Sequence, residues 1–215
     1  MSDTLVINEI YKSIQGESSY VGLPCVFVRL TACDLRCAWC DTAYAFHEGS
    51  RMSFDEIVNR ICALDCRLVE ITGGEPLLQP NVLPLMKCLC DLGKQVLIET
   101  SGAHDISRID PRVIRIMDLK CPGSGEVERN RYENVQHLTR RDEVKFVIAD
   151  RADYDWAKSK ILEYKLPSRC TVLFSPVWGK MDPQKLVEWM LSDRLPARFQ
   201  VQLHKYIWNP TQRGV

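Results

Sequence analysis

The chain of 215 residues has no excess of charge of either sign, since 28 Lys and Arg balance 28 Asp and Glu. That removes the electrostatic footprint of a protein that binds nucleic acid or lies on an anionic membrane, and it favours a small-molecule ligand. No apolar run reaches membrane-spanning length, and the stretch from Met1 to Tyr11, with Asp3 and Glu9 in it, holds no segment of signal-peptide type. A cytoplasmic protein is therefore expected. Linkers, low-complexity segments and internal repeats are also missing, and the 46% hydrophobic and 26% charged content is that of an ordinary folded enzyme.

Cysteine is plentiful, with ten residues, but a reducing compartment excludes disulfides as their expected use. Cys25, Cys62, Cys66, Cys88, Cys90, Cys121 and Cys170 read as core packing, because free cysteine is among the most buried residue types. The other three stand in the run Cys33-Asp34-Leu35-Arg36-Cys37-Ala38-Trp39-Cys40. A four-iron cubane takes one thiolate per iron, so three thiolates leave one iron open, and an open position marks a catalytic metal site. Trp39 places a flat apolar group where it could shield such a cluster from water. The alternative is a structural zinc site with His47 or Asp41 as fourth ligand, although the second short hook usual for zinc is missing.

Apolar, β-branched runs at 25–30, 68–72, 95–100, 113–119, 143–148, 170–174 and 199–203 read as strands. Amphipathic patterns at 54–64, 81–92, 152–164 and 183–191 read as helices; the first opens on a Ser53/Glu56 capping box and the last on Asp182-Pro183. Alternation of near-continuous apolar strands with helices predicts an α/β fold with a parallel sheet. About six βα units are too few for an eight-fold barrel, so an incomplete parallel (β/α) barrel is expected. One domain over 1–215 is predicted: an irregular N-terminal segment at 1–22 lying across the barrel, the partial barrel at 23–210 and a tail at 211–215. Polar or glycine-rich residues follow almost every strand, including Gly73-Gly74-Glu75-Pro76, Glu99-Thr100-Ser101-Gly102, Asp118-Leu119-Lys120, Ser175-Pro176 and His204-Lys205-Tyr206. They would converge on the mouth at the C-terminal strand ends, where β/α barrels build active sites. Arg29 sits in an apolar strand, where a guanidinium must be paired; the partner is either a ligand carboxylate or a structural Glu17 or Glu99.

The triad Cys33, Cys37, Cys40 with Trp39, and the segment Thr72-Gly73-Gly74-Glu75-Pro76, resemble the two motifs of the radical S-adenosylmethionine (SAM) superfamily. Within it, Ile14-Gln15-Gly16-Glu17, Arg29, Cys40-Asp41-Thr42 and His204-Lys205-Tyr206 are similar to the 7-carboxy-7-deazaguanine synthase family, over about residues 6–210. The resemblance implies a radical SAM type of barrel and a lyase that contracts the ring of 6-carboxy-5,6,7,8-tetrahydropterin with loss of ammonia, in queuosine and deazapurine biosynthesis. It implies a [4Fe-4S] cluster on Cys33, Cys37 and Cys40, and SAM held by Trp39, Cys40, Asp41, Gly74, Asp118, Leu119, Lys120, Ser175, Pro176, Val177 and Trp178. It also implies Mg2+ on Thr42, and substrate contacts from Ile14, Gln15, Gly16, Glu17, Arg29, Thr72 and His204. No catalytic side chain beyond the cofactor-derived radical is implied. A homodimer and an external electron donor are further implications. Some family members end near Pro210 and close the pocket with the terminal carboxylate, whereas here Thr211 to Val215 follow, so the tail is expected either to fold over the mouth or to reach a second subunit. Two other readings stay open: an activase acting on a protein partner, and a non-catalytic zinc-binding protein.

Overall fold

The computed structural model describes residues 3–215. Nine strands form one open sheet in the order β3-β1-β2-β4-β5-β6-β7-β8-β9. They are β1 (Thr4–Ile14), β2 (Pro24–Leu30), β3 (Ser50–Ser53), β4 (Leu68–Gly73), β5 (Gln95–Thr100), β6 (Ile114–Asp118), β7 (Glu143–Ile148), β8 (Thr171–Pro176) and β9 (Arg198–Phe199). From β2 to β9 every pairing is parallel, while β1 runs antiparallel to both β2 and β3. The sheet does not close, as the incomplete barrel requires.

The helices are α1 (Phe54–Ala63), α2 (Val82–Asp91), α3 (Arg151–Glu163), α4 (Pro183–Ser192) and the single turn α5 (His204–Ile207). Their starts follow from local chemistry. Ser53 and Glu56 exchange the two bonds of a capping box at α1, Asp150 accepts from the Asp153 amide at α3, and Asp182 accepts from the Gln184 amide ahead of Pro183 at α4.

Two expectations need correction. The segment expected to be irregular at 1–22 contains the eleven-residue strand β1 over its described part. Its polar residues alternate with Leu5, Ile7 and Ile10, and a polar strand is stable at this position because one face is covered and β2 satisfies its backbone. The run at 199–203 forms strand only at Arg198–Phe199, since by Leu203 the chain has bent into α5. The connections for which the sequence offers no helical pattern hold no α-helix: β5 to β6 is irregular and β6 to β7 holds only short 3-10 turns.

The period-two alternation of the parallel strands sorts their residues onto two faces. Val26, Val28, Leu30, Val69, Ile71, Val96, Ile98, Val144, Phe146, Ile148, Val172 and Phe174 pack beneath the helices in the main core. The intervening residues line the concave face. At its N-terminal end Cys25, Phe27, Leu68, Leu97, Ile114 and Ile116 form a separate apolar plug. Towards the C-terminal strand ends the same face carries Arg29, Glu70, Thr72, Glu99, Asp118 and Lys145, and the mouth opens above them.

Candidate active site

A cavity of about 840 Å³ occupies the mouth. The cysteine loop forms one wall. Ala32, with φ of 83°, turns the chain out of β2 and points its carbonyl at the Glu75 amide, 2.8 Å away. A Cβ at Gly74 would overlap that carbonyl, and one at Gly73, with φ of 141°, would overlap Leu30, so both glycines are required by close backbone approach. Buried Leu35 anchors the loop from below. From the side it is held by the Ala38 amide on the Ser124 carbonyl, and by Asp34 against His104 and Arg129. Glu75 itself is fully buried and accepts from Leu77, Thr100 and Ser101, which ties the end of β4 to the end of β5.

Cys33, Cys37 and Cys40 line this wall together with Trp39, Asp41 and Thr42. Among the described residues no three or more His, Cys, Asp or Glu side chains stand together as a single-ion donor set. Three thiolates spread along a wall suit a cluster with one ligand per iron. Burial pushes the Cys37 thiol up to about 11, with the nearby Lys120 ammonium pulling the other way, so metal loading must displace its proton. Lys120 also pairs with Asp118 at 2.9 Å. The other carboxylate oxygen of Asp118, Oδ1, is buried with no hydrogen-bond partner, an acceptor left for a ligand at the cavity wall.

The same cavity is also lined by Ile14, Gln15, Gly16, Glu17, Arg29, Thr72 and His204. Arg29 has a structural partner, but it is neither Glu17 nor Glu99: Nε donates to Glu9 at 2.7 Å and Nη2 to the Tyr11 hydroxyl at 3.0 Å. Glu17 is taken by Lys145 at 2.9 Å and by the Gln202 amide at 3.0 Å. Burial would raise the Glu17 carboxyl, but Lys145 and Gln202 outweigh it and hold the group below its ordinary value. Burial likewise opposes the charge of Lys145, yet Glu17 and Glu99 hold it well above the usual lysine range. His204 packs against Gly16, and burial lowers its imidazole below the ordinary value despite Glu17 and Asp41 nearby, so the ring faces the cavity neutral at pH 7.

Asp41 receives Lys205 at 2.6 Å and the Gln202 amide at 3.1 Å, which joins α5 to the cysteine loop. The Thr42 hydroxyl donates to Asp41 and keeps its lone pairs for a cation.

The chain can be compared with known proteins on this basis. Residues 28–118 match the family described as the radical SAM superfamily. The 7-carboxy-7-deazaguanine synthase of Chlorobaculum tepidum is 50% identical over 98% of this chain and 97% of its own. That of Koribacter versatilis is 49% identical over 97% and 99%. The chain belongs to the 7-carboxy-7-deazaguanine synthase family. The crystal structure of QueE from Escherichia coli shares the fold, with a TM-score of 0.78 at 23% identity over 94% of this chain and 95% of that one. A family of this kind uses a [4Fe-4S] cluster and SAM, and the cysteine wall, the Gly73-Gly74 approach and the unpartnered Asp118 oxygen fit both.

Of the residues that resemblance to the synthase family nominates, most meet at the one cavity. Three do not. Leu119 and Ser175 are buried away from it, and Pro176 lines a smaller neighbouring cavity with Trp178 and Tyr206. Any contact from these three to a ligand in the main cavity runs through backbone. Sequence reasoning missed Glu70, Lys145, Tyr11 and Tyr44, all of which line the cavity. For Glu70 and Lys145 a signal existed, because a single ionisable residue inside an apolar strand must be paired or functional. The tail folds over the mouth: Pro210 to Val215 line the cavity, and Arg213 pairs with Glu48 at 2.7 Å and stacks over the Tyr44 ring at 3.9 Å.

Proposed function

We propose that this chain converts 6-carboxy-5,6,7,8-tetrahydropterin to 7-carboxy-7-deazaguanine, and that two groups of residues lining its cavity divide the work. The single observation that carries this reading is that the cysteine loop and Arg29, Gln15, Glu17 and His204 line one cavity. Its volume lies near the upper end of small-molecule sites, as suits a cofactor and a substrate taken together.

When bound, the cluster and SAM supply the hydrogen-abstracting radical that begins ring contraction. The residues of this chain do the rest. Cys33, Cys37 and Cys40 would hold the cluster. Gly74, Asp118 and Lys120, with Trp39 to Asp41 and Val177-Trp178, would hold SAM, the free Asp118 oxygen accepting from a ligand N–H or O–H. Arg29, steadied by Glu9 and Tyr11, would meet the substrate carboxylate, and Thr42 would share that carboxylate with Mg2+. Glu17, kept ionised by Lys145, offers acceptors to the aminopyrimidinone edge; Thr72 and neutral His204 complete the ring contacts. Trp39, Trp178 and the tail would exclude water, which protects a reactive intermediate.

The reading brings with it a second copy of the chain, an external one-electron donor and a cytoplasmic setting, where the thiols stay reduced. No helix among the described residues is long and apolar enough to cross a membrane. The test is anaerobic reconstitution with iron and sulfide, followed by SAM, reductant, Mg2+ and the carboxytetrahydropterin. Formation of the deazaguanine acid is the expected result, and 5′-deoxyadenosine without it would count against the reading.

A further inference from the structure

We propose that Glu70 is a positioning residue for the substrate: from the buried concave face of β4 it holds the Gln15 carboxamide and, through it, the turn that carries Glu17. This rests on the proposed function, which places the pterin against that turn. Gln15 is 2% exposed and every polar atom of its side chain that binds is spoken for. Its Oε1 accepts from the Glu17 amide at 2.9 Å, which fixes the orientation of the carboxamide, so its Nε2 faces Glu70 and donates to Oε2. The backbone of Gln15 is clamped as well, its N–H donating to Leu23 and its carbonyl accepting from Gly22, both at 2.8 Å. Lys145 and Gln202 hold the far end of the turn at Glu17, and Glu70, 55 positions from Gln15, is the side chain across the sheet that holds its near end.

Glu70 makes that contact in an unusual setting. It is 2% exposed, and among the described residues no cation lies within ion-pair distance of it. The one buried ammonium on this face, Lys145, is shared by Glu17 at 2.9 Å and Glu99 at 3.6 Å. A third buried carboxylate on the same face would have no counter-charge, so Glu70 holds Gln15 as a neutral acid. The groups packed around it act in that direction or only partly against it. Glu99 on β5 and Glu17 on the turn repel its negative form, while Lys145 on β7 and Arg29 on β2 oppose them more weakly than burial and repulsion together. Tyr11 on β1 and Cys25 on β2 also feel its charge. Ionising Glu70 would place a new negative charge beside Glu17 and Glu99, and repulsion of Glu17 would move the turn out of register with the substrate.

Binding of the carboxytetrahydropterin to the reconstituted holoenzyme, measured by calorimetry together with KM and kcat, tests this with two variants. Glu70→Gln keeps an acceptor and cannot ionise; its Kd and KM should match wild type at neutral pH, and the loss of affinity expected of wild type as pH rises should vanish. Glu70→Ala removes the acceptor; its Kd and KM should rise about tenfold at every pH with kcat changed far less, the worth of one buried hydrogen bond. A dependence on rising pH identical in wild type and Glu70→Gln, or unchanged affinity in Glu70→Ala, would overturn the proposal. Should Glu70→Ala not fold, the Glu70→Gln pH profile decides alone. Wild type that binds and converts no pterin would instead overturn the proposed function, so the two failures are told apart.

Discussion

The two faces of the parallel sheet are made by alternate residues of the same strands, yet they obey different rules. On the helix-covered face, residues such as Val28, Ile71, Ile98 and Phe146 are fully buried and wholly apolar. On the concave face the apolar layer stops at the plug of Phe27, Leu97 and Ile116, and the next positions towards the mouth are Arg29, Glu70, Thr72, Glu99, Asp118 and Lys145. Stability is concentrated on one face and chemistry on the other, and the pleat keeps them apart while holding both on one rigid scaffold. It follows that damage to either should be separable.

The largest separation is expected at the cysteine wall. Cys37→Ala should abolish cluster absorbance and product formation while leaving the circular dichroism and the melting temperature near wild type, because the core does not depend on the mouth. Loss of folded signal in that variant would break the comparison from the functional side. Phe146→Ala tests it from the structural side. Its ring is fully buried and makes edge contacts with Phe174 and Trp156, so truncation should cost about 3–5 kcal/mol in denaturant unfolding.

Lys145→Met crosses the boundary, since it changes a concave-face residue that is itself buried. Removing the ammonium strands Glu17 and Glu99 beside Glu70, and a destabilisation of about 3 kcal/mol is expected, with substrate affinity lost as well. A neutral effect on unfolding would show that the Lys145 ion pairs contribute nothing to stability. The last effect is a slope. Burial, Glu99 and Glu17 raise the Glu70 carboxyl well above its ordinary value, so the folded state binds this proton more tightly than the unfolded chain. Its contribution is full below the unfolded value near 4.5 and is lost as pH rises towards the folded one, at up to about 1.4 kcal/mol per pH unit. Glu70→Gln should flatten that decline in pH-dependent melting.

Much of this was legible without coordinates where the information is local. The capping box at Ser53, the Asp182-Pro183 start, six of the seven apolar strands to within a residue or two, the cysteine spacing and the glycine pair are each contained in a few consecutive residues. What escaped was of two kinds. The strand β1 was missed because Asn8, Glu9, Tyr11 and Lys12 give it a polar composition that becomes favourable only beside β2 and β3. The partners of the ionisable residues were missed because alternation says which face a side chain is on and says nothing about which strand lies next to it.

Sequence alone therefore determined that this chain carries a three-cysteine site and a glycine approach at strand ends, and that most of its strands are parallel with one face helix-covered, because those properties are read over one turn or one strand–helix unit. Tertiary structure decided that Arg29 leans on Glu9, that Lys145 stands between Glu17 and Glu99, and that Glu70 holds Gln15. Residues 20, 128, 46 and 55 positions apart meet only through strand order and register, and a buried charge takes whichever partner that register brings within reach.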